Sequence, residues 1–397
     1  MKKRFTIKFH PRLFWWLVPV LFGVELYSLF PSHTKRQPGD YVRGVYHVHS
    51  MFSHDATGSI DRIVDAAKEA ELDFVIVTDH NSLEAHRLGL DKAYGSVDLF
   101  VETEASLPMG HATSFLTHTS ARDMEDAEIA PTALRQIEEK KPFADGSFQV
   151  IAHPTNVKRP WERLDLFGKG VEVVNLDSVW RDQLNADWGS AFLTVFLYPL
   201  NQFVSMLRLL KVNPKNFQIW DNMNSVSKNH VGLLAQDTHE NIQLGGQVHL
   251  LWPTYRETFK LASNVVFLDE PKDSDYEKRK RQIYEQIRRG RVAFVFDYLY
   301  PFQKSDWVVR CGDRVARCGQ EVSFVPGGCS STVTTPEGFP YPLEVRLLRN
   351  GRKIDSADRV LEPGTYRVEV WAKVRSRFSL LVDDWIPFAF YNPIYVQ

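Results

Sequence analysis

Cysteine is scarce: the chain of 397 residues has three, Cys311, Cys318 and Cys329. That excludes a disulfide-dense scaffold and a Cys-rich zinc module. Net charge is almost missing as well, at −1, which excludes nucleic-acid binding driven by bulk charge. Histidine is absent after His249, although 13 precede that point. A chain with one His-rich part and one His-free part is expected to hold one domain with metal or acid–base chemistry and one without. The near-neutral charge is itself an average. Lys2, Lys3, Arg4, Lys8 and Arg12 give the amino end +5, residues 13–300 sum to −8, and residues 301–397 sum to +2. An acidic, His-rich middle suits a cation site better than a polyanion site.

Long apolar runs are also few. The first is Leu13–Phe30, whose one charge is Glu25. A spanning helix wants ~20 apolar residues, with ~17 as a lower limit. Trp15, Trp16 and Tyr27 could serve as interfacial aromatics, and the basic flank would hold the amino end in the cytoplasm. A cleaved leader needs small residues at its cleavage site, whereas this run ends in Ser28-Leu29-Phe30-Pro31. A soluble helix would leave the basic flank unexplained. Residues 1–40 are therefore expected to be a cytoplasmic basic tail, a single transmembrane anchor and a linker. The rest would lie outside the cytoplasm, on the periplasmic side in a bacterium.

From residue 41 the pattern is strand, helix, strand. Alternation over Val42–Val48 predicts a strand that ends in His47 and His49, two residues apart and hence on one face. Ser59 is a fitting N-cap for an amphipathic helix after it. The apolar, β-branched run Asp73–Thr78 reads as a buried parallel strand and delivers Asp79, His80 and Asn81. Further strands deliver Glu104, His153, Asn175 with Asp177, and Asp237 with His239; Gly110-His111 opens another apolar stretch. In such folds, polar residues at the carboxyl ends of strands line the active site. Seven of the 13 histidines fall at or just after these ends, where chance would scatter them.

Six short motifs now stand in order: His47-x-His49, Thr78-Asp79-His80-Asn81, Glu104-Ala105-Ser106, Gly110-His111, His153-Pro154 and Asp237-x-His239. The sequence resembles the polymerase and histidinol phosphatase (PHP) superfamily over residues 41 to about 295. The resemblance implies an α/β fold, a distorted seven-stranded β/α barrel, with up to three divalent metals and mostly phosphoester hydrolysis. The ligands it implies are His47, His49, Asp55, His80, Glu104, His111, His153, Asp237 and His239. Of these, His47, His49, Glu104, His153, Asp237 and His239 would be directly catalytic. By spacing from His49, His54 takes the position where the family often has an aspartate, so His54 is the alternative to Asp55. The turn Ala56-Thr57-Gly58-Ser59 favours Asp55, as a one-residue expansion. Asp79 and Asn81 would orient ligands from behind, unless Asp79 only caps the following helix. Glu102 stands where the family has glycine.

The residues support the same chemistry on their own terms. Imidazoles and carboxylates without thiolate suit Zn²⁺, Mn²⁺ or Fe²⁺ rather than Mg²⁺ or Ca²⁺ alone. Two or three such cations can generate a hydroxide nucleophile and bind phosphoryl oxygens. His86, His118, His230 and His249 read as structural or surface residues. Lys158, Arg159 and Arg181 follow strand ends and could hold phosphate, or be merely solvated.

A second apolar run, Phe192–Leu210, is interrupted by Pro199, Asn201, Gln202 and Arg208. It could pack on the barrel or rest on a bilayer as an interfacial helix. Beyond residue 300, strand signals at Leu343–Arg349, Thr365–Trp371, Phe378–Val382 and Phe388–Tyr391, with a turn at Asn350-Gly351, suggest a small β-sandwich over 301–397. Cys311 and Cys318 could close a small loop and leave Cys329 free, or all three could be reduced.

These readings predict a membrane-anchored, extracytoplasmic phosphoesterase of the hydrolase domain 41–300. Its partners would be a phosphorylated small molecule or lipid-linked substrate, and the membrane through the amino-terminal helix; no nucleic acid is expected. Two rivals remain: amidohydrolase-type cleavage at the same metals, and a tethered scaffold with a vestigial site.

Overall fold

The computed structural model describes residues 11–31, 39–116, 122–139, 146–163, 165–166, 168–245, 248–303, 305–354 and 362–397. The architecture is mixed α/β around one 15-stranded sheet. The strand Tyr41–Val48 is its hub. On one side it pairs in parallel with Phe74–His80, which pairs in parallel with Val97–Leu107. The sheet then runs through Gly110–Phe115, Phe148–Ile151, Gly170–Asn175 and Val231–Ala235. The chain just past that last strand comes back to the first, where Val48 bridges Thr238 and Gln236 N donates to Tyr46 O.

Alternation along these strands splits their apolar residues between two cores, as a period of two requires. Val45, Val75, Val77, Leu99, Val101 and Leu234 join the large cluster; Tyr46, Phe74, Ile76, Phe100, Val150 and Leu233 form the smaller one. The helix Ile60–Glu69 covers the first crossover, capped by Ser59, whose hydroxyl accepts from Arg62 N.

On its other side, Tyr41–Val48 pairs antiparallel with Ser263–Phe267, and the sheet continues through Val292–Val295 into Asp383–Val396, Gly364–Arg375 and Leu343–Arg349. The expected self-contained β-sandwich is thus corrected. The long carboxyl-terminal strands extend the main sheet, and a three-stranded sheet, Asp306–Cys311 between Arg314–Arg317 and Cys329–Thr334, accompanies them. Asn392 shows why the two parts are continuous. Its side chain donates to Gly232 O and Val292 O, both at 2.9 Å, and accepts from Gly232 N at 2.7 Å. Asn392→Ala orphans three buried backbone groups and should cost roughly 1–3 kcal/mol for each one that finds no water. Urea unfolding of the variant against the parent measures this.

The expected disulfide is corrected too. Cys311 pairs with Cys329, not Cys318, because the two face each other in register across antiparallel strands. Cys318 is a free, buried thiol that burial pushes up to about 12.

The transmembrane anchor and the single-pass membrane location are not supported. The helix in the first apolar run is Pro11–Leu26, with 16 residues, and stops before the run ends at Phe30. At 1.5 Å per residue it is about 24 Å long, short of the ~30 Å of a hydrocarbon core. No helix among the described residues is long and apolar enough to cross a membrane. Glu25, the one charge in the run, is held by the carboxyl-terminal part of the chain. Its buried carboxylate accepts from Ser376 Oγ and from the amides of Phe378, Leu380 and Leu381. Burial opposes that charge, and the hydrogen bonds nevertheless hold the carboxyl below its usual range. Leu26 and Leu29 are buried in the main core. The basic flank over residues 1–10 lies outside the described residues.

The second apolar run divides. The helix Gln202–Leu209 is buried along most of its length, and Arg208 in its last turn donates to Leu381 O and Ser190 Oγ. The helix Trp188–Leu197 instead leaves Trp188, Phe192, Val195 and Phe196 exposed.

Candidate metal centre

The hub strand does not run straight into the site. Its register shifts between Tyr46 and Val48, and His47 takes a left-handed φ of 63°. Asn81, His153 and Asp237 also have positive φ, at 46°, 29° and 51°. Non-glycine residues held this way cost roughly 1–3 kcal/mol each and gather where function over-determines them. Asp237 N donates to His47 O, and His49 N to Thr238 O, so the two strained strand ends brace each other. Tyr255 Oη donates to His49 O at 2.7 Å. It reaches that carbonyl past Gly58, where a Cβ would lie 2.2 Å from the same Oη.

Glu104 is the centre of the cluster. Its Oε2 lies 3.0 Å from His47 Nε2, 3.3 Å from His49 Nε2 and 3.2 Å from His80 Nδ1. Its Oε1 lies 2.9 Å from His111 Nδ1 and 3.1 Å from His153 Nε2. Asp237 Oδ1 lies 3.5 Å from His47 Nε2 and 3.4 Å from His49 Nε2. Asp55 Oδ2 meets His80 Nε2 at 3.3 Å and His239 Nε2 at 3.1 Å. Among the described residues, three sets of ligand atoms lie mutually within 4.8 Å: His49 with Asp55, His80 and His239; His47 with His49 and Asp237; and His80 with Glu104 and His111.

All nine expected ligands therefore converge. His54 does not join them; it is exposed, with its ring 5.0 Å from that of His80. Asp79 neither contacts an imidazole by hydrogen bond nor caps a helix. It accepts from Ser50 N and Ser50 Oγ, at 2.6 and 2.7 Å, and so fixes the loop after His49. Asn81 N donates to Glu104 O, and its side chain is bonded to Ser106 on the same strand. His86 pairs with Asp91, and His230 with Ser227. His118 lies outside the described residues, as does the side chain of His249. Glu102 sits on the same face of its strand as Glu104, two residues deeper. It is buried against Arg122 and Tyr284, and burial pushes it up to about 7.

Glu172 is the functional residue that sequence reasoning missed. It accepts from His47 Nδ1 at 2.5 Å, Tyr46 Oη at 2.7 Å, His153 N at 2.7 Å and Asn175 Nδ2 at 2.8 Å. Asn175 Nδ2 also reaches Asp237 Oδ2 at 2.9 Å. The available signal was an acidic residue among the valines of the strand Gly170–Asn175, every residue of which is buried. Its contact has a chemical consequence. A carboxylate on Nδ1 makes that nitrogen the donor and leaves the Nε2 lone pair of His47 for a cation. His239 is set the same way, with Nδ1 3.0 Å from Asp237 O.

The donor set fits divalent cations. His49 Nε2 and His80 Nδ1 are buried beside carboxylate oxygens without making a hydrogen bond. Protons serve in place of cations when none is bound. Burial opposes charge on His49, but Asp237 and Glu104 overcome it and raise that imidazole to about 10. Glu104 likewise outweighs burial at His153, which reaches about 9. Burial also opposes ionisation of Glu104, yet His47 and His80 hold its carboxyl well below the usual range.

Raised imidazoles give stability that is full below the unfolded-state value and lost as pH rises through the folded-state one. Chelated protein should thus lose thermal stability between pH ~6.5 and ~10. Cation-loaded protein should not, since its ligands have already released their protons. Melting curves across that range, with and without chelator, test this.

Comparison with known proteins bears on the same residues. The PHP domain profile matches residues 46–158. Over this stretch the chain is similar to the PHP domain family. The stretch contains His47 through His153, and the fold adds Glu172, Asp237 and His239 from beyond it. Members of the PHP superfamily are typically hydrolases, and the clustered ligands accord with a metal-dependent one. No curated protein matches the chain. Among solved structures, the crystal structure of PsfC from Pseudomonas syringae PB-5123 aligns at 14% identity and a TM-score of 0.38, covering 61% of this chain and 88% of that one.

Proposed function

We propose that the chain is a metal-dependent phosphoesterase, acting on a phosphate mono- or diester. The observation that carries this reading is the pairing of the ligand cluster with a cationic rim. The cleft over Glu104, His80 and His153 is also lined by Lys158, Arg159 and Arg181. Arg181 is braced by Asp177 at 2.6 Å, and Asn156 Oδ1 accepts from the amides of Lys158 and Arg159. Such a rim, although Asp177 and Asp182 also line the cleft, suits an anionic substrate better than a neutral amide. Divalent cations, two or three of them as Zn²⁺, Mn²⁺ or Fe²⁺, would lower the pKa of water and polarise a phosphoryl oxygen.

The protein's own contribution is placement. Glu104 and Asp237 supply shared carboxylates, and the imidazoles of His47, His49, His80, His111, His153 and His239, with Asp55, complete the ligand set. Glu172 holds His47 in the tautomer that can ligate. The rim cations would neutralise the phosphoryl oxygens as the ester oxygen departs.

The test is a panel of phosphomonoesters, phosphodiesters and amides offered to the full chain in Mn²⁺ or Zn²⁺, with a chelated control. Chelator-sensitive release from phosphoesters alone is expected. Amide cleavage without phosphoester cleavage would contradict the proposal.

A further inference from the structure

The described residues expose 19 large apolar side chains, and 12 of them fall in three segments, 11–30, 188–200 and 376–382. Single exposed apolar residues need no explanation, whereas a contiguous patch marks an interaction surface. In the helix Pro11–Leu26 and the turn after it, Val20, Val24 and Tyr27 are exposed at helical spacing. In the helix Trp188–Leu197, Trp188, Phe192, Val195 and Phe196 are exposed in the same way. Residues four and seven apart share one helix face. Phe378 and Leu380 are the exposed side chains of the third segment.

Hydrogen bonds join the three segments. Asn201 Nδ2 donates to Leu26 O at 2.7 Å and to Leu29 O at 3.3 Å, and Tyr27 Oη donates to Leu200 O at 3.3 Å. Arg208 connects the second segment to the third, through Ser190 Oγ at 2.9 Å and Leu381 O at 2.7 Å. Arg377 N donates to Ser28 Oγ at 3.0 Å and connects the third to the first.

The charge of this face has one sign. Arg12, Glu25 and Arg377 are the charged residues in the sequence of the three segments. Glu25 is buried against Ser376 and the amides of Phe378, Leu380 and Leu381, while Arg377 is exposed beside Phe378. Lys2, Lys3, Arg4 and Lys8 precede the helix, and no acidic residue comes before Glu25.

We infer that this face rests on an anionic lipid surface. The apolar side chains enter the boundary between headgroups and acyl chains, and the cations meet the headgroups. The helix Pro11–Leu26 lies along that boundary and does not cross it, being too short to span. A second copy of the chain fits less well. A two-fold contact sets the same patch against itself, so the cations of one copy would meet those of the other with no exposed carboxylate of the face to pair them.

The experiment mixes the full chain with vesicles of phosphatidylcholine alone or of phosphatidylcholine with phosphatidylserine, and follows co-flotation at low and high salt. Binding to the mixed vesicles should exceed binding to the neutral ones by about tenfold or more, and high salt should remove the excess. Phe192→Glu together with Phe196→Glu should lower binding by about tenfold or more. The melting temperature should not change, since both rings are exposed and neither lines the cleft. Lys2→Gln, Lys3→Gln, Arg4→Gln and Lys8→Gln together should remove most of the preference for phosphatidylserine. Binding to neither vesicle, or equal binding to both, would overturn the inference. A dimer that the double Phe variant separates would overturn it as well and assign the face to a second copy. The phosphoesterase reading stands or falls separately, since flotation needs no hydrolysis.

Discussion

Replacing His47 and His49 together by alanine is expected to abolish turnover, by roughly 10³-fold or more, and to empty the site of cation. The two rings take part in two of the three ligand sets: His49 with Asp55, His80 and His239, and both with Asp237. They also approach one carboxylate oxygen, Glu104 Oε2, at 3.0 and 3.3 Å. Their removal leaves Glu104 and Asp237 as buried negative charges, each without two of its imidazole partners. Cation content and activity should fall together. Both rings sit in the interior, so the variant's fold needs an independent check by circular dichroism. A folded variant that keeps its metal and its activity would remove both rings from the mechanism.

Glu172→Gln should weaken cation affinity and turnover by about 10- to 100-fold, the usual effect of losing a residue that orients a ligand imidazole. The substitution keeps the volume. It replaces one acceptor oxygen by a donor, in a site where all four neighbours donate: His47 Nδ1, Tyr46 Oη, His153 N and Asn175 Nδ2. At least one of those hydrogen bonds must break. His47 is then free to put its proton on Nε2, the nitrogen that faces the carboxylates. A merely structural role for Glu172 would lower the melting temperature and leave the cation dissociation constant where it was. Isothermal titration with Mn²⁺ on the folded variant separates the two outcomes.

Much of the ligand set was legible because many of the ligands close a strand, and strands announce themselves by alternation. His47 and His49, then His80, His153 and Asp237, stand at or just past such ends, whereas Glu104 lies inside Val97–Leu107. Asp55 could be preferred to His54 from turn length alone, and the structure places Asp55 between His80 and His239. Glu172 escaped notice because it lies within a strand instead of at its end, and a lone acidic residue there announces no partner. Its partners come from residues 46, 47 and 153, which only tertiary folding brings near.

The corrections share one physical cause: they depend on what a segment meets, not on what it contains. Leu13–Phe30 has the composition of a membrane helix. Glu25 nevertheless finds its amides about 350 residues away, at Phe378, Leu380 and Leu381. The cysteine pairing depends on strand register, which sets Cys311 opposite Cys329 and leaves Cys318 in the core. The carboxyl-terminal strands were recognisable as strands, but their edge pairing to Val292–Val295 was not, since alternation specifies faces and says nothing of neighbours.

The most direct measurement is a titration of the chelated full chain with Mn²⁺, following both bound metal and phosphoester hydrolysis. Activity that is absent at the start, and rises to saturation as two or three ions bind per chain, is the predicted result. Hydrolysis at full rate in the chelated protein, or binding of the ions with no gain in hydrolysis, would contradict it.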